Sequence, residues 1–126
     1  MFVRVLVHSL LAVGLLTATA AAKRQVPPRP IDAATYDALL TDVNAEPFAD
    51  GKMQRIHTVR NTNYTFTAGQ VVTLLAAFQF WVERVDAVRE LPLATGDRAG
   101  ANAVLRYFSG APATMQSEAR QILAVE

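Results

Sequence analysis

Apolar residues recur at helical spacing from Tyr36 to Leu123, with charged residues in the gaps between them. The clearest run spans residues 65–91. Thr67 stands just before an apolar stretch and Gln70 follows three residues on, which is capping-box spacing. The Thr hydroxyl can accept from the Gln70 backbone N–H while the Gln side chain reaches back. Val71, Leu74, Leu75 and Phe78 then share one helical face. Phe78-Gln79-Phe80 breaks that rhythm, and Trp81, Val85 and Val88 resume it. Pro92 ends the second run, because the residue before a proline is pushed out of the α region. The stretch predicts a capped helix, an aromatic corner and a second helix.

The same unit is legible on both sides. Asp32 can cap a helix over 33–44 that carries Tyr36, Leu39, Leu40 and Val43, and Pro47 stops it. Phe48-Ala49-Asp50 is a corner, and a helix over 51–59 follows with Met53, Ile56 and Val59 inward. A polar connection spans 60–64. Downstream, Asp97 can cap a helix reaching Phe108 with Val104 and Leu105 inward. Residues 109–112 break the chain, and Thr114 is expected to cap a last helix carrying Met115, Ala119, Ile122 and Leu123. No run alternates with period two, so no strand is expected.

Phe48, Phe80 and Pro112 are spaced by 32 residues (80 − 48 and 112 − 80). The same offset relates Leu40, Val72 and Val104; Val43, Leu75 and Tyr107; and Val59, Leu91 and Leu123. Lys52 and Arg84 match too, with Gln116 in the third copy. A fixed period of this size signals stacked helix pairs, each with an apolar face too large to leave in water. The expected fold is all-α: six short helices in three stacked antiparallel pairs.

The first segment changes the picture of compartment. Met1 to Arg4 give a short positive start, residues 5–16 are almost wholly apolar, and small residues around 18–22 offer A-x-A cleavage sites. This is the pattern of a secretory signal peptide over 1–22, with an uncleaved anchor as the alternative. The apolar run is short for a bilayer span. Without it the chain has 104 residues (126 − 22) and a charge of zero (11 − 11), because Arg4 is removed. The expectation is one exported domain, periplasmic or secreted, over 32–126, with no membrane attachment after cleavage. Residues 23–31 read as a basic, proline-rich linker in polyproline II, with a ligand for a proline-recognising groove as the alternative. The sequence has no Cys, so no disulfide staples the fold and no Cys-dependent lipid anchor is possible. A neutral balance gives no argument for nucleic acid.

The chain resembles the domain-of-unknown-function family numbered 4476, found in exported bacterial proteins and in parts of animal proteins. The likeness covers about residues 35–123. It rests on Phe48-Ala49-Asp50-Gly51-Lys52-Met53, Asn63-Tyr64-Thr65-Phe66-Thr67-Ala68-Gly69-Gln70-Val71, Phe78-Gln79-Phe80 with Arg84, and Ala119-Arg120-Gln121-Ile122-Leu123. The resemblance implies a helical domain and carries no activity or site residues. The chain departs from the pattern at Trp81 and Val82, where small or acidic residues are usual, and at Gly110 and Pro112, where aromatics are usual.

Reactive constellations are missing from the sequence. His57 has no His or Cys partner at metal spacing. Asp42/Glu46, Glu83/Asp86 and Asp86/Glu90 have helical spacing but sit beside Arg and Lys, as solvated faces do. Ser109 and Ser117 lack a nucleophile-elbow context, and the glycines form no phosphate-cradling loop. Lys52 with Arg84, and His57 with Arg89, share repeat rows that stacking could align into a basic ridge; pairing with nearby carboxylates is the alternative. Trp81 either packs between helix pairs or joins an exposed contact patch. The favoured function is a module that binds a protein or peptide, with Trp81, Arg84, Arg60 and Tyr64 contributing and no cofactor or metal. An envelope hydrolase using Glu83 or Asp86 is the rival, and a structural or inhibitor-like domain is the third possibility.

Overall fold

Each of the six apolar runs becomes a helix in the computed structural model, which describes residues 27–125. The expected leader over 1–22, the first part of the proline-rich lead and Glu126 lie outside the described residues. The helices are α1 (Ala33–Ala45), α2 (Ala49–Arg60), α3 (Ala68–Leu75), α4 (Trp81–Arg89), α5 (Arg98–Tyr107) and α6 (Ala113–Ile122). A 3-10 turn, Phe108–Gly110, closes α5. Helices α1 and α2 form the most intimate sequential pair. The next two pairs interlock across layers, α3 on α5 and α4 on α6, and α2 packs on α4. Layer-to-layer stacking of this kind is what a repeat of helix pairs requires.

Local chemistry explains where the first helix of each pair starts. Asp32 accepts from the Thr35 backbone N–H at 3.0 Å, Thr67 from Gln70 at 3.2 Å, and Asp97 from Gly100 at 2.9 Å. Gln70 Oε1 accepts from the Thr67 N–H at 2.9 Å, completing the box. A Cβ at Gly100 would meet Asp97 Oδ2 at 2.2 Å, so a larger residue there would require the capping carboxylate to turn. The second helix of each pair starts differently. Phe48, Phe80 and Pro112 occupy its N-cap position in extended conformation, and none supplies a side-chain acceptor. The expected Thr114 cap is therefore corrected: Thr114 lies inside α6, because Pro112 already fixes the extended residue that precedes it. Helix α2 also begins earlier than expected, at Ala49.

The repeat rows point inward. Val43 and Leu75 are fully buried and Tyr107 is partly buried against the same core. Val104 and Leu91 are buried, while Leu40, Val72, Val59 and Leu123 pack against that core. Phe78 and Phe108 are the largest fully buried side chains, and no polar or charged residue is buried among the described residues.

One feature of the backbone is absent from the sequence pattern. Arg29–Pro30 (β1) pairs in parallel with Tyr64–Thr65 (β2), and Phe66 bridges in parallel to Leu93. The Arg29 and Ile31 amides donate to the Asn63 and Thr65 carbonyls, and the Phe66 amide donates to Pro92 at 2.8 Å. The segments that lead into the three helix pairs thus lie side by side. Pro30 has no N–H to offer the outer edge, so it is tolerated there. The fold is consequently entered by Arg29, ahead of the expected boundary at Asp32, and Ile31 is part of the core.

Two titrations bracket the stability of this arrangement. Hydrogen bonds from the Thr35 hydroxyl, then from its amide, hold the Asp32 carboxyl below its ordinary 3.8. Burial raises the Tyr36 phenol above 10.0, and its hydroxyl donates to the Gln70 carbonyl at 3.2 Å. Asp32 therefore stabilises fully above pH 3.8, and its contribution is lost as pH falls from there through the lowered value. Tyr36 stabilises fully below pH 10.0, and its contribution is lost as pH rises beyond it. Thermal melts against pH should show both limbs. Asp32→Asn, which still caps but does not titrate, should flatten the acid limb; an unchanged acid limb would remove Asp32 from it.

Candidate functional site

The row 52, 84 and 116 does the same mechanical job in each unit. Lys52 Nζ donates to the Val43 carbonyl at 3.1 Å, near the end of α1. Arg84 Nε and Nη2 donate to the Phe78 carbonyl, just past α3, at 3.1 and 2.9 Å. Gln116 Nε2 donates to the Ala111 and Ser109 carbonyls, after α5, at 2.9 and 3.2 Å. The last carbonyls of a helix have no partner within it and carry partial negative charge, so a donor from the next helix suits them. The row clasps the two helices of a pair together. It is not a basic ridge, because each head group is turned onto main chain.

Arg84 also stacks over the Trp81 ring, with Cζ 4.5 Å from its centroid. Trp81 meets Tyr107 at 5.6 Å and Phe108 at 5.5 Å between ring centroids. Its Cζ2 would touch a Cβ at Gly110 at 3.7 Å. The indole is therefore sandwiched between Arg84 of the second unit and Tyr107 and Phe108 of the third. This supports packing for Trp81, and its ring is spoken for.

Arg60 and Tyr64 stand elsewhere. Arg60 Nη1 lies 2.7 Å from Glu90 Oε2, tying α2 to α4, with His57 Nδ1 3.6 Å from the same oxygen. Tyr64 carries the Arg29 guanidinium 4.8 Å above its ring and accepts from it at 3.5 Å. Arg89 pairs with Glu118 at 3.2 Å, tying α4 to α6. The four residues singled out in the sequence thus divide into Trp81 with Arg84 at the second corner, Arg60 on the α2–α4 seam, and Tyr64 on β2.

The rival chemistry finds no support. Glu83 accepts from the Phe80 N–H at 3.1 Å, half of a capping box, and Asp86 is exposed. A general acid needs a carboxyl held in a desolvated cleft. An apolar cleft of about 490 Å³ is lined by Val88, Leu91, Leu93, Ala101, Ile122 and Leu123. Only Arg89, Asp97 and Arg98 bring charge to it, and Arg89 and Asp97 are already engaged. No group of three or more His, Cys, Asp or Glu among the described residues could hold a metal. No described helix is long and apolar enough to cross a membrane.

What the clasps hold in place is the corner edge. Phe48 is 76% exposed and Phe80 58% exposed, and they occupy the same row of adjacent units. Val82, also exposed, stands beside Phe80, and Pro112 continues the row in the third unit. Phe48, Phe80 and Val82 are the exposed large apolar side chains of the described chain. Sequence reasoning marked Phe48 and Phe80 as a repeat but treated them as corners. The usable signal was their place: a phenylalanine stands where a helix start prefers Ser, Thr, Asp or Asn.

The family described as Domain of unknown function (DUF4476) matches residues 30–123. No curated protein and no solved structure matches the chain. The family match spans all three helical corners, all three cap residues and most of the paired lead-in segments, so the chain belongs to the domain of unknown function family DUF4476.

Proposed function

We propose that this domain is a protein- or peptide-interaction module whose contact surface is the corner edge, centred on Phe48, Phe80 and Val82. The single observation that carries the proposal is the pair of exposed phenylalanines in one repeat row. A polar residue at an N-cap typically stabilises a helix by about 1 kcal/mol over an apolar one. Two units forgo that stabilisation and present an aromatic to water instead. Aromatic residues are what interfaces use as anchors. Trp81 and Arg84 act behind this surface, holding the second corner rigid, and rigidity lowers the entropy cost of binding. From the leader pattern in residues 1–22 we further infer that the module works outside the cytoplasm, in the periplasm or the medium.

The test uses Phe48→Ser and Phe80→Ser. Each serine supplies the missing cap, and the second completes a box with Glu83, so the melting temperature should stay level or rise by a few degrees. Peptides selected from a displayed library against the wild-type protein should lose affinity by about tenfold for each phenylalanine removed. Undiminished affinity would take the binding surface away from this edge. A falling melting temperature would show that the two rings are structural.

A further inference from the structure

Nine Lys and Arg side chains fall within the described residues, and their partners are unevenly spread. Arg29, Lys52, Arg55, Arg60, Arg84 and Arg89 each make a hydrogen bond or ion pair. Arg98, Arg106 and Arg120 make none among the described residues, and all three lie on the third helix pair. Arg106 and Arg120 rim an open groove of about 580 Å³ between α5 and α6, with Ala99 and Leu105 also lining it. No carboxylate lines that groove.

The opposite end of the stack has the complementary character. Asp37 and Asp42 on α1 are exposed and make no hydrogen bond or ion pair among the described residues. Between them runs a strip of small exposed residues, Ala34, Ala38, Thr41 and Ala45, at steps of four, three and four. Those steps place the strip on one helical face. Small side chains let a second helix approach closely, and the flanking carboxylates would meet the groove's arginines.

We propose that the domain associates head to tail with a second copy of itself, α1 of one copy lying in the α5–α6 groove of the next. The contact continues the stacking already present inside the chain, so it is heterologous and open rather than a closed dimer. It runs through helices and not through the sheet. Pro30 removes the donor that would extend β1 outward, a usual guard on a sheet edge. Opposite charge at the two ends sets direction, since like ends repel.

Sedimentation velocity on the protein purified from its own cells tests this. The wild type should form concentration-dependent species larger than a dimer at low salt. High salt should weaken association by about tenfold, as screening of exposed charges requires. Arg106→Glu with Arg120→Glu should be monomeric, as should Asp37→Lys with Asp42→Lys, because each makes both ends alike in sign. Mixing the two variants should restore assembly. Arg106→Gln with Arg120→Gln, which removes charge without reversing it, should also lose assembly while keeping the helical circular dichroism. A wild type that stays monomeric at every concentration overturns the proposal. So does a dimer that survives both reversals, or a mixture of folded variants that fails to assemble. An acidic partner or the chain's own leader in the groove would give the first of these results.

Discussion

Phe108→Ala should remove a large part of this domain's stability, and Phe48→Ala should leave it nearly untouched. Phe108 is fully buried in the turn that closes α5, with ring centroids 5.5 Å from Trp81 and 5.9 Å from Tyr107. Truncating a buried phenylalanine costs about 3–5 kcal/mol through lost transfer energy and the cavity left behind. A domain of this size holds roughly 5–15 kcal/mol in all. A drop in melting temperature of more than about 15 °C is expected. Phe48 is the same residue type at 76% exposure, so its removal changes little buried area. Calorimetry on the two variants checks the contrast. Equal losses would mean that the corner edge is not a surface at all.

Arg84→Ala should cost about 2–3 kcal/mol in urea denaturation, far more than a surface arginine. Two of its donors meet the Phe78 carbonyl, and hydrogen bonds to a charged group are worth about 1.5–3 kcal/mol. The stack on Trp81 adds to this. Arg84→Lys should recover part of the loss, because Lys52 performs the same clasp in the first unit with a single ammonium. It should not recover all, since an ammonium cannot offer two parallel donors and lies poorly on an indole face. An Arg84→Ala variant as stable as wild type, yet defective in peptide binding, would return Arg84 to the contact surface itself.

The parts of this molecule that were legible in the sequence are those set by short, fixed spacings. Asp32, Thr67 and Asp97 cap amides three residues ahead, a relation visible in any helical start. The rows of Val43, Leu75 and Tyr107 are legible because burial on a repeated unit must recur with its period. The clasps escape such reasoning. Lys52 reaches back nine residues, Arg84 six and Gln116 five, so the shared role has no shared spacing. The three cap residues are also unevenly placed, 35 apart (67 − 32) and then 30 (97 − 67), because the first helices differ in length. The period holds from the second half of each first helix onward, from Leu40, Val72 and Val104, and is lost at the caps. The paired lead-in segments were invisible because a two-residue strand has no room for alternation.

The corner edge was half legible. The phenylalanine row was plain, but exposure depends on which way a corner turns, and nothing local fixes that. Trp81 was open in the sequence, between packing and a contact patch. Its ring meets Tyr107 and Phe108 of the third unit, a contact between units that no local spacing shows.

Amide hydrogen exchange at Ile31 and Phe66 bears most directly on three like units stacked through their lead-in segments. Their N–H groups donate to Thr65 at 3.0 Å and Pro92 at 2.8 Å, each reaching into the neighbouring segment. Both amides should exchange as slowly as those of the buried helix residues around Leu74 and Val85. Exchange at the rate of an unprotected loop would mean that the units are joined only by helix contacts, and the stacked repeat described here would not stand.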